Sequence, residues 1–129
     1  MVETRTKLVL IGAGSAVFTK GLVADMTRAD DLGPWTLGLV DIDPEALETA
    51  VRLCRRMVTV TEADIEIEAS TDRTAVLPGA DVVVSTIGVG GRRAWEADVF
   101  IPRRHGVYQP VGDTVMPGGV SRAMRMISG

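Results

Sequence analysis

The sequence predicts an α/β fold, a doubly wound parallel sheet with helices on both of its faces. An apolar strand pattern at Lys7 to Ile11 runs into the turn Gly12-Ala13-Gly14, and a helical pattern follows at once. Strand-like and helix-like segments then alternate along the chain, which is typical of parallel strands joined by crossover helices. The valine run within Asp81 to Ile87 indicates a strand that is buried on both faces.

Composition is typical of a globular protein and excludes several classes of partner. The chain has 129 residues, enough for one domain with its own core, with 46% hydrophobic residues and a net charge of −3. No basic block indicates nucleic-acid binding, no signal peptide is recognisable, and no apolar run approaches the roughly 18 residues of a membrane span. The single cysteine, Cys54, has no internal disulfide partner. We therefore expect a cytoplasmic protein with no nucleic-acid or membrane partner.

The first helix is predicted from about Ser15 to Arg28. An apolar stripe with a four-residue repeat is expected to face the core, formed by Phe18, Leu22 and Met26 with Val17 and Gly21 beside it.

The second strand and the helix that follows it have the clearest local signals. The strand is predicted at Trp35 to Val40, and the next helix at Pro44 to about Thr61, with Asp43 as its N-cap. Cys54 lies on the apolar stripe of this helix, so we expect a small buried side chain rather than a reactive thiol.

The later part of the chain continues the alternation. Ile65 to Ala69 alternates apolar and charged residues, which predicts a strand near a sheet edge. The other predicted elements are a short helix or turn at Asp72 to Leu77, a strand at Asp81 to Ile87, a helix at Arg92 to Ile101 that Pro102 kinks or ends, an irregular stretch at His105 to Gly119, and a helix at Val120 to Ile127. Because two-part dinucleotide folds have about six strands, the sheet is expected to be incomplete at its C-terminal end.

The glycine turn is the motif with the clearest chemistry. Gly12 permits a tight turn, Gly14 lets the backbone approach a pyrophosphate, and the N–H groups from Ser15 onward face the anion. Val17 stands where the third glycine of G-x-G-x-x-G is usual. Asp41, at the end of the second strand, can accept hydrogen bonds from ribose hydroxyls and disfavours a 2′-phosphate. We therefore predict a Rossmann-like, NAD-binding domain over residues 1–129; another α/β nucleotide or anion site is the alternative.

Two later segments contain further candidate residues. The loop Gly88 to Gly91 follows the fourth predicted strand, at the edge of the sheet where ligands bind. Arg92 and Arg93 stand beside a predicted helix N-terminus, where cations are unfavourable, so they indicate either an anionic partner or a solvated pair. His105 is a candidate base or metal ligand, with a structural role as the alternative, and Asp113 is the stronger candidate for substrate contact or proton transfer.

Three stretches of the chain resemble a known family. The segments KLVLIGAGSAVFTKGLVADM, LVDID and STIGVGGRRAWEADVFIPRRHGVYQPVGDTVMPGGVSRAMR are similar to the NAD-dependent family 4 glycoside hydrolases, most strongly from Gly90 to Arg125. Malate and lactate dehydrogenases share the dinucleotide fold but lack the HGVYQPVGDT–PGG loop.

The resemblance implies an unusual hydrolysis. NAD⁺ accepts a hydride from C3 of the sugar, a base then removes the acidified C2 proton, and the aglycone leaves by elimination. Water adds and the hydride returns, so NAD is not consumed. A divalent metal, usually Mn²⁺, holds the C2 and C3 oxygens. The family thereby departs from the two-carboxylate scheme of most glycosidases.

The resemblance also assigns roles by position. The residues expected to bind NAD are Gly12, Gly14, Ser15 and Asp41, with Thr86, Gly88 and Gly90 towards the nicotinamide. The residues expected to line the sugar pocket are Arg92, His105, Gln109 and Asp113, and Asp113 is also expected to help protonate the leaving group.

The family's metal-binding Cys and His and its catalytic Tyr and Asp lie beyond the stretch that this chain matches. We therefore expect the amino-terminal, cofactor-binding part of an α-glucosidase, α-galactosidase or α-galacturonidase that hydrolyses no glycoside alone and is a homo-oligomer at full length. The alternatives are a 6-phospho-glycosidase of the same family, an NAD-dependent dehydrogenase, and a dinucleotide-binding module without activity.

Overall fold

The structure, a computed structural model, describes residues 5–29, 33–109 and 115–128. The chain divides into two compact units, residues 1–86 and residues 87–129.

The first unit is built on a parallel sheet. Its strands are β1 (Thr6–Ile11), β2 (Trp35–Val40), β3 (Ile65–Ser70) and β4 (Val82–Ser85), in the order β3-β2-β1-β4. In the register, Ile11 of β1 lies opposite Val40 of β2 and Ser85 of β4. Because the strands are parallel, the carboxyl ends of β1, β2 and β4 meet at one edge of the sheet.

Helices cover both faces of this sheet, which confirms the doubly wound α/β class. The helices are α1 (Ala16–Met26), α2 (Pro44–Thr61) and α3 (Arg73–Val76). One face of the sheet packs with α1 and α2 in a cluster that includes Leu8, Leu10, Leu37, Leu39, Val23, Leu47 and Cys54. Side chains alternate along a strand, so Val9 and Val40 face the other way, where they pack against Val76 of α3.

Helix α2 has the predicted bounds. Asp43 Oδ1 accepts hydrogen bonds from the backbone N–H groups of Glu45, at 2.9 Å, and Ala46, at 3.2 Å, which is the predicted N-cap. Cys54 is fully buried on the inner face of the helix, as predicted.

Helix α1 presents to the core a face that matches the predicted one only in its second half, where Leu22 and Met26 pack into the main cluster. Thr19, Val23 and Met26 are buried, whereas Val17 is 88% exposed and Phe18 is half-exposed. The hydroxyl of Thr19 donates a 2.7 Å hydrogen bond to the carbonyl of Ala13 in the glycine turn. That bond turns Thr19 inward and Val17 outward, so the first half of the predicted stripe is wrong.

The two outer strands differ in how well the sequence predicts them. Strand β3 lies at an edge of the sheet, as predicted. Strand β4, predicted to be buried on both faces, pairs only with β1 within the described residues, and Val82 and Val83 are 44% and 50% exposed. The prediction of full burial is therefore wrong for the described residues, because a valine run does not show whether other elements cover both faces of the strand.

The second unit contains α4 (Gly91–Arg104) and α5 (Pro117–Ser128). Pro102 lies inside α4, which continues to Arg104, so of the two predicted effects the ending of the helix at Ile101 is wrong. Helix α5 begins at Pro117, three residues before the predicted Val120. Proline suits the first position of a helix, because the N–H group that it lacks would have no partner there.

No helix in the described ranges is both long enough and apolar enough to cross a membrane.

Candidate functional site

The glycine turn after β1 is held between the ends of two strands. The backbone N–H groups of Gly12 and Ala13 both donate to the carbonyl of Val40, at 2.8 and 3.0 Å. The Thr86 hydroxyl, just after β4, donates to the carbonyl of Gly12 at 2.9 Å. Gly12 has φ +93°, and a Cβ there would lie 2.7 Å from Thr86 Oγ1. This position therefore requires glycine for both conformation and space.

Gly14 and Asp41 are in direct contact. The Gly14 N–H donates to Asp41 Oδ2 at 2.7 Å, and the Asp43 N–H donates to Asp41 Oδ1 at 3.0 Å. A Cβ at Gly14 would lie 2.7 Å from Asp41 Oδ2 and 2.8 Å from the Cβ of Ala46. Two backbone donors thus orient the carboxylate, and because each carboxylate oxygen has two lone pairs, further hydrogen bonds can be accepted.

The start of α1 suits an anion. Ser15 is the N-cap residue, but its side chain makes no capping hydrogen bond, and the first turn contains no acidic residue. The first-turn N–H groups of a helix have no intrahelical acceptor and carry partial positive charge. These are the groups that the sequence predicts to face an anion.

A cleft of about 290 Å³ opens between the beginnings of α1 and α2. Gly14, Ala16 and Thr19 line one side, and Asp43 and Ala46 are among the residues on the other. The predicted site residues Gly12, Gly14, Ser15, Asp41 and Thr86 are thus brought together at one edge of the sheet.

Two residues near this edge are absent from the sequence-based prediction. Thr19 is buried and supports the turn through its bond to Ala13. Ile42 is 91% exposed although it is apolar, and it follows Asp41 directly. In the sequence, Ile42 can be recognised as an apolar residue between two aspartates just after a strand. Nothing close to Thr19 in the sequence indicates that its side chain supports the turn.

The second unit has its own cleft, of about 220 Å³, and two of the remaining candidates, Gly88 and Arg92, line it. Its lining includes Gly88, Val89, Arg92, Trp95, Arg122 and Arg125. Gly90, with φ +82°, is the N-cap of α4. The side chain of Arg92 is exposed and pairs with Glu96 at 2.9 Å, one helical turn away.

The three other predicted substrate residues differ in their placement. His105 is exposed and caps the C-terminus of α4. The buried side chain of Gln109 donates to the carbonyl of Asp98 at 3.1 Å and accepts from the N–H of Gly118 at 3.2 Å. Asp113, the predicted catalytic residue, lies outside the described residues.

A match to a known protein family agrees with this geometry and with the motifs. The family model "Family 4 glycosyl hydrolase" matches residues 7–129 of this sequence. The chain belongs to the family 4 glycosyl hydrolases. The resemblance inferred from the sequence motifs is thereby confirmed.

Relatives of this family 4 chain are longer than it is. An alpha-galactosidase of Rhizobium meliloti (strain 1021) is 36% identical over 121 residues, covering 94% of this chain and 25% of the relative. An alpha-glucosidase of Erwinia rhapontici is 36% identical over 123 residues, covering 95% of this chain and 27% of the relative. The chain thus spans about a quarter of the length of these relatives.

Solved structures confirm the fold. The crystal structure of a 6-phospho-alpha-glucosidase from gut microorganisms, in complex with NAD and Mn²⁺, matches with a TM-score of 0.79. The match has 20% sequence identity and covers 97% of this chain and 28% of that structure.

Metal-binding side chains are not clustered in the part of this family 4 chain that the structure describes. No three His, Cys, Asp or Glu residues within those ranges lie close enough together to hold a metal ion. Burial raises the pKa of the Cys54 thiol to about 11, so it stays protonated at neutral pH. A protonated, buried thiol is a poor metal ligand.

Proposed function

We propose that this chain is the NAD-binding part of an NAD- and divalent-metal-dependent glycoside hydrolase. The substrate class that we propose is an α-glucoside, α-galactoside or α-galacturonide without a phosphate group. The proposed reaction is C3 oxidation, elimination, hydration and re-reduction. Membership of family 4 and the names of the relatives support the glycosidase assignment.

The observation that carries the cofactor assignment is the fixed carboxylate of Asp41. It lies at the carboxyl end of β2, held by the backbone N–H groups of Gly14 and Asp43. Its remaining lone pairs suit the two hydroxyls of an adenosine ribose, and its charge opposes a 2′-phosphate. We therefore propose that Asp41 binds the ribose and selects NAD over NADP.

The neighbouring residues fit the other parts of the dinucleotide. Gly12 and Gly14, whose own N–H groups bind Val40 and Asp41, would form the turn that brings the pyrophosphate to the first-turn N–H groups of α1, which follow the N-cap Ser15. The exposed apolar side chain of Ile42 would contact the adenine ring. When bound, NAD⁺ supplies the hydride acceptance and return that the proposed reaction needs.

Several assignments stay predictions. They are contact of Thr86, Gly88 and Gly90 with the nicotinamide end; contact of Arg92, His105, Gln109 and Asp113 with the sugar; proton transfer by Asp113; ligation of Mn²⁺ by residues outside this chain; a cytoplasmic location; and a homo-oligomeric state at full length.

Calorimetric titration of the purified chain with NAD⁺ and NADP⁺ tests the cofactor assignment. We expect saturable binding that prefers NAD⁺. In Asp41→Ala the affinity for NAD⁺ should fall about tenfold or more, because hydrogen bonds to a charged acceptor are lost.

Asp72→Ala is the matched control. Asp72 caps α3 through Oδ1 and lines neither cleft described above, so its loss should lower stability while NAD⁺ affinity stays near that of the wild type. Far-UV circular dichroism shows whether each variant folds. Equal NAD⁺ affinity of wild type and Asp41→Ala in folded samples would refute the ribose assignment.

The second candidate is a 6-phospho-glycosidase, and one observation favours it. Arg92, Arg122 and Arg125 line the cleft of the second unit together with Asp98. Because Arg92 pairs with Glu96 and Arg125 with Asp98, an anionic group there would be met chiefly by Arg122. Assay of the full-length enzyme with matched phosphorylated and unphosphorylated glycosides separates the two candidates. Net release of NADH during turnover would instead indicate a dehydrogenase.

A further inference from the structure

Asp98 and Arg125 form an ion pair that none of the assignments above uses. The Asp98 side chain, on α4, is only 2% exposed. Arg125 of α5 approaches it with two donors, Nη1 to Oδ1 at 3.2 Å and Nη2 to Oδ2 at 2.5 Å. Such a two-point contact fixes the plane of the guanidinium as well as its distance.

The third donor of Arg125 reaches the glycine loop. Its Nε donates to the carbonyl of Val89 at 3.1 Å. Val89 stands between Gly88 and Gly90 in a stretch where Gly90 and Gly91 both have positive φ, at +82° and +54°. Glycines with this freedom adopt many conformations, so a bond to the middle of the loop restricts it strongly.

The backbone of Asp98 is also engaged outside its helix. In an α-helix its carbonyl would accept from the N–H four residues later, but that residue is Pro102, which has none. The side chain of Gln109 supplies the missing donor, at 3.1 Å. The same amide accepts from the N–H of Gly118, where a Cβ would overlap the Asp98 carbonyl.

One residue of α4 therefore connects three segments of the second unit. Its carboxylate orients Arg125, which holds the loop before α4, and its carbonyl binds Gln109, in the segment after α4. We propose that Asp98 and Arg125 are positioning residues that fix the Gly88–Gly91 loop in the conformation that receives the nicotinamide end of the cofactor. This rests on the proposed function, in which that loop contacts the nicotinamide.

The test compares two ligands that differ only in the nicotinamide. NAD⁺ and ADP-ribose share the adenosine and pyrophosphate, so the ratio of their affinities reports the nicotinamide contacts. In Arg125→Lys the charge beside Asp98 remains, but the paired donors and the bond to Val89 are lost. We expect NAD⁺ affinity to fall about fivefold, as loss of one or two hydrogen bonds predicts, with ADP-ribose affinity unchanged.

Arg103→Lys is the control, because the Arg103 guanidinium lies over the ring of Phe100 at 5.4 Å, outside this network. The ratio of its affinities for NAD⁺ and ADP-ribose should equal that of the wild type. Asp98→Asn keeps the shape of the side chain and provides the same comparison if Arg125→Lys does not fold.

The outcomes are distinguishable. A loss that is equal for both ligands, or no loss at all, would overturn the positioning role. Equal affinities of the wild type for NAD⁺ and ADP-ribose would overturn it too, while leaving the NAD assignment intact. Wild-type protein that binds neither ligand would refute the proposed function and this inference together.

Discussion

At the scale of single residues, the contact between Gly14 and Asp41 shows how one missing Cβ creates a site. The Gly14 N–H reaches the Asp41 carboxylate at 2.7 Å, and a side chain at Gly14 would occupy the position of that oxygen. A Cβ there would also lie 2.8 Å from the Cβ of Ala46. Gly14 thus permits the close approach of the turn to Asp41 and to the first turn of α2.

Asp98 is a buried carboxyl group whose ionisation depends on its neighbours. The Arg125 guanidinium, by hydrogen bonding and by charge, holds the pKa of the Asp98 carboxyl below its usual value despite burial. Arg122 and the Ser121 hydroxyl act in the same direction. The folded state therefore favours the ionised carboxylate.

Because the folded state favours the ionised carboxylate of Asp98, we expect the stability of the protein to depend on pH. Because the folded pKa of Asp98 is depressed, its stabilising contribution is present above the ordinary value of about 3.9 and is lost as the pH falls through the folded value. Asp98→Asn should lower the free energy of unfolding by about 2 kcal/mol at pH 7. Below about pH 5 the difference from the wild type should shrink.

Urea denaturation from pH 7 to pH 3 measures this difference. Asp25→Asn is the control, because the carboxylate of Asp25 is exposed and its only ion pair in the described part of the chain, with Arg28, is long at 3.7 Å. If the difference in the free energy of unfolding between Asp98→Asn and the wild type stays constant down to pH 3, the charge of Asp98 does not stabilise the fold as proposed.

At the scale of elements, α1 and α2 differ in how far local signals determine them. Helix α2 has an N-cap aspartate, a proline at its first position and a strong apolar stripe, and the structure reproduces its predicted bounds. Helix α1 is apolar on more than one side, so its stripe does not specify a single face. A buried hydrogen bond from Thr19 to Ala13 decides the orientation instead.

Two valines on α1 test that orientation. Val23 is fully buried and Val17 is 88% exposed. Val23→Ala should lower the free energy of unfolding by about 2 kcal/mol, since it removes buried methyl groups and leaves a cavity. Val17→Ala should change it by less than about 0.5 kcal/mol.

Thermal or urea unfolding of the two variants gives the comparison directly. If Val17→Ala is the more destabilising variant, the face predicted from the four-residue repeat is the buried one after all.

At the scale of the whole molecule, sheet order places the candidate cofactor site. The order β3-β2-β1-β4 puts β1 between β2 and β4, so its glycine turn meets Asp41 on one side and Thr86 on the other. Residues that are far apart in sequence thereby converge at one edge, which is where ligands bind in open parallel sheets.

The chain spans about a quarter of the length of its glycosidase relatives. We therefore expect the 129-residue polypeptide alone to bind NAD⁺ without hydrolysing glycosides. Incubation with NAD⁺, Mn²⁺ and p-nitrophenyl α-glucoside or α-galactoside should release no nitrophenol above the buffer blank. Turnover that scales with the concentration of the pure chain would show this expectation to be wrong.

Local signals in the sequence were enough to determine the approximate positions of the strands, the capped helix α2 and the parallel α/β class. Each of these depends on residues close together in the chain or on a known rule of strand order.

Only the tertiary structure decided the inward face of α1, the exposure of β4 and the partnership of Asp98 with Arg125. The first depends on a hydrogen bond between a helix and a turn. The second depends on which elements cover the two faces of the strand. The third depends on two side chains 27 positions apart in the sequence. Contacts of this kind arise from packing in three dimensions, and no local pattern of residues encodes them.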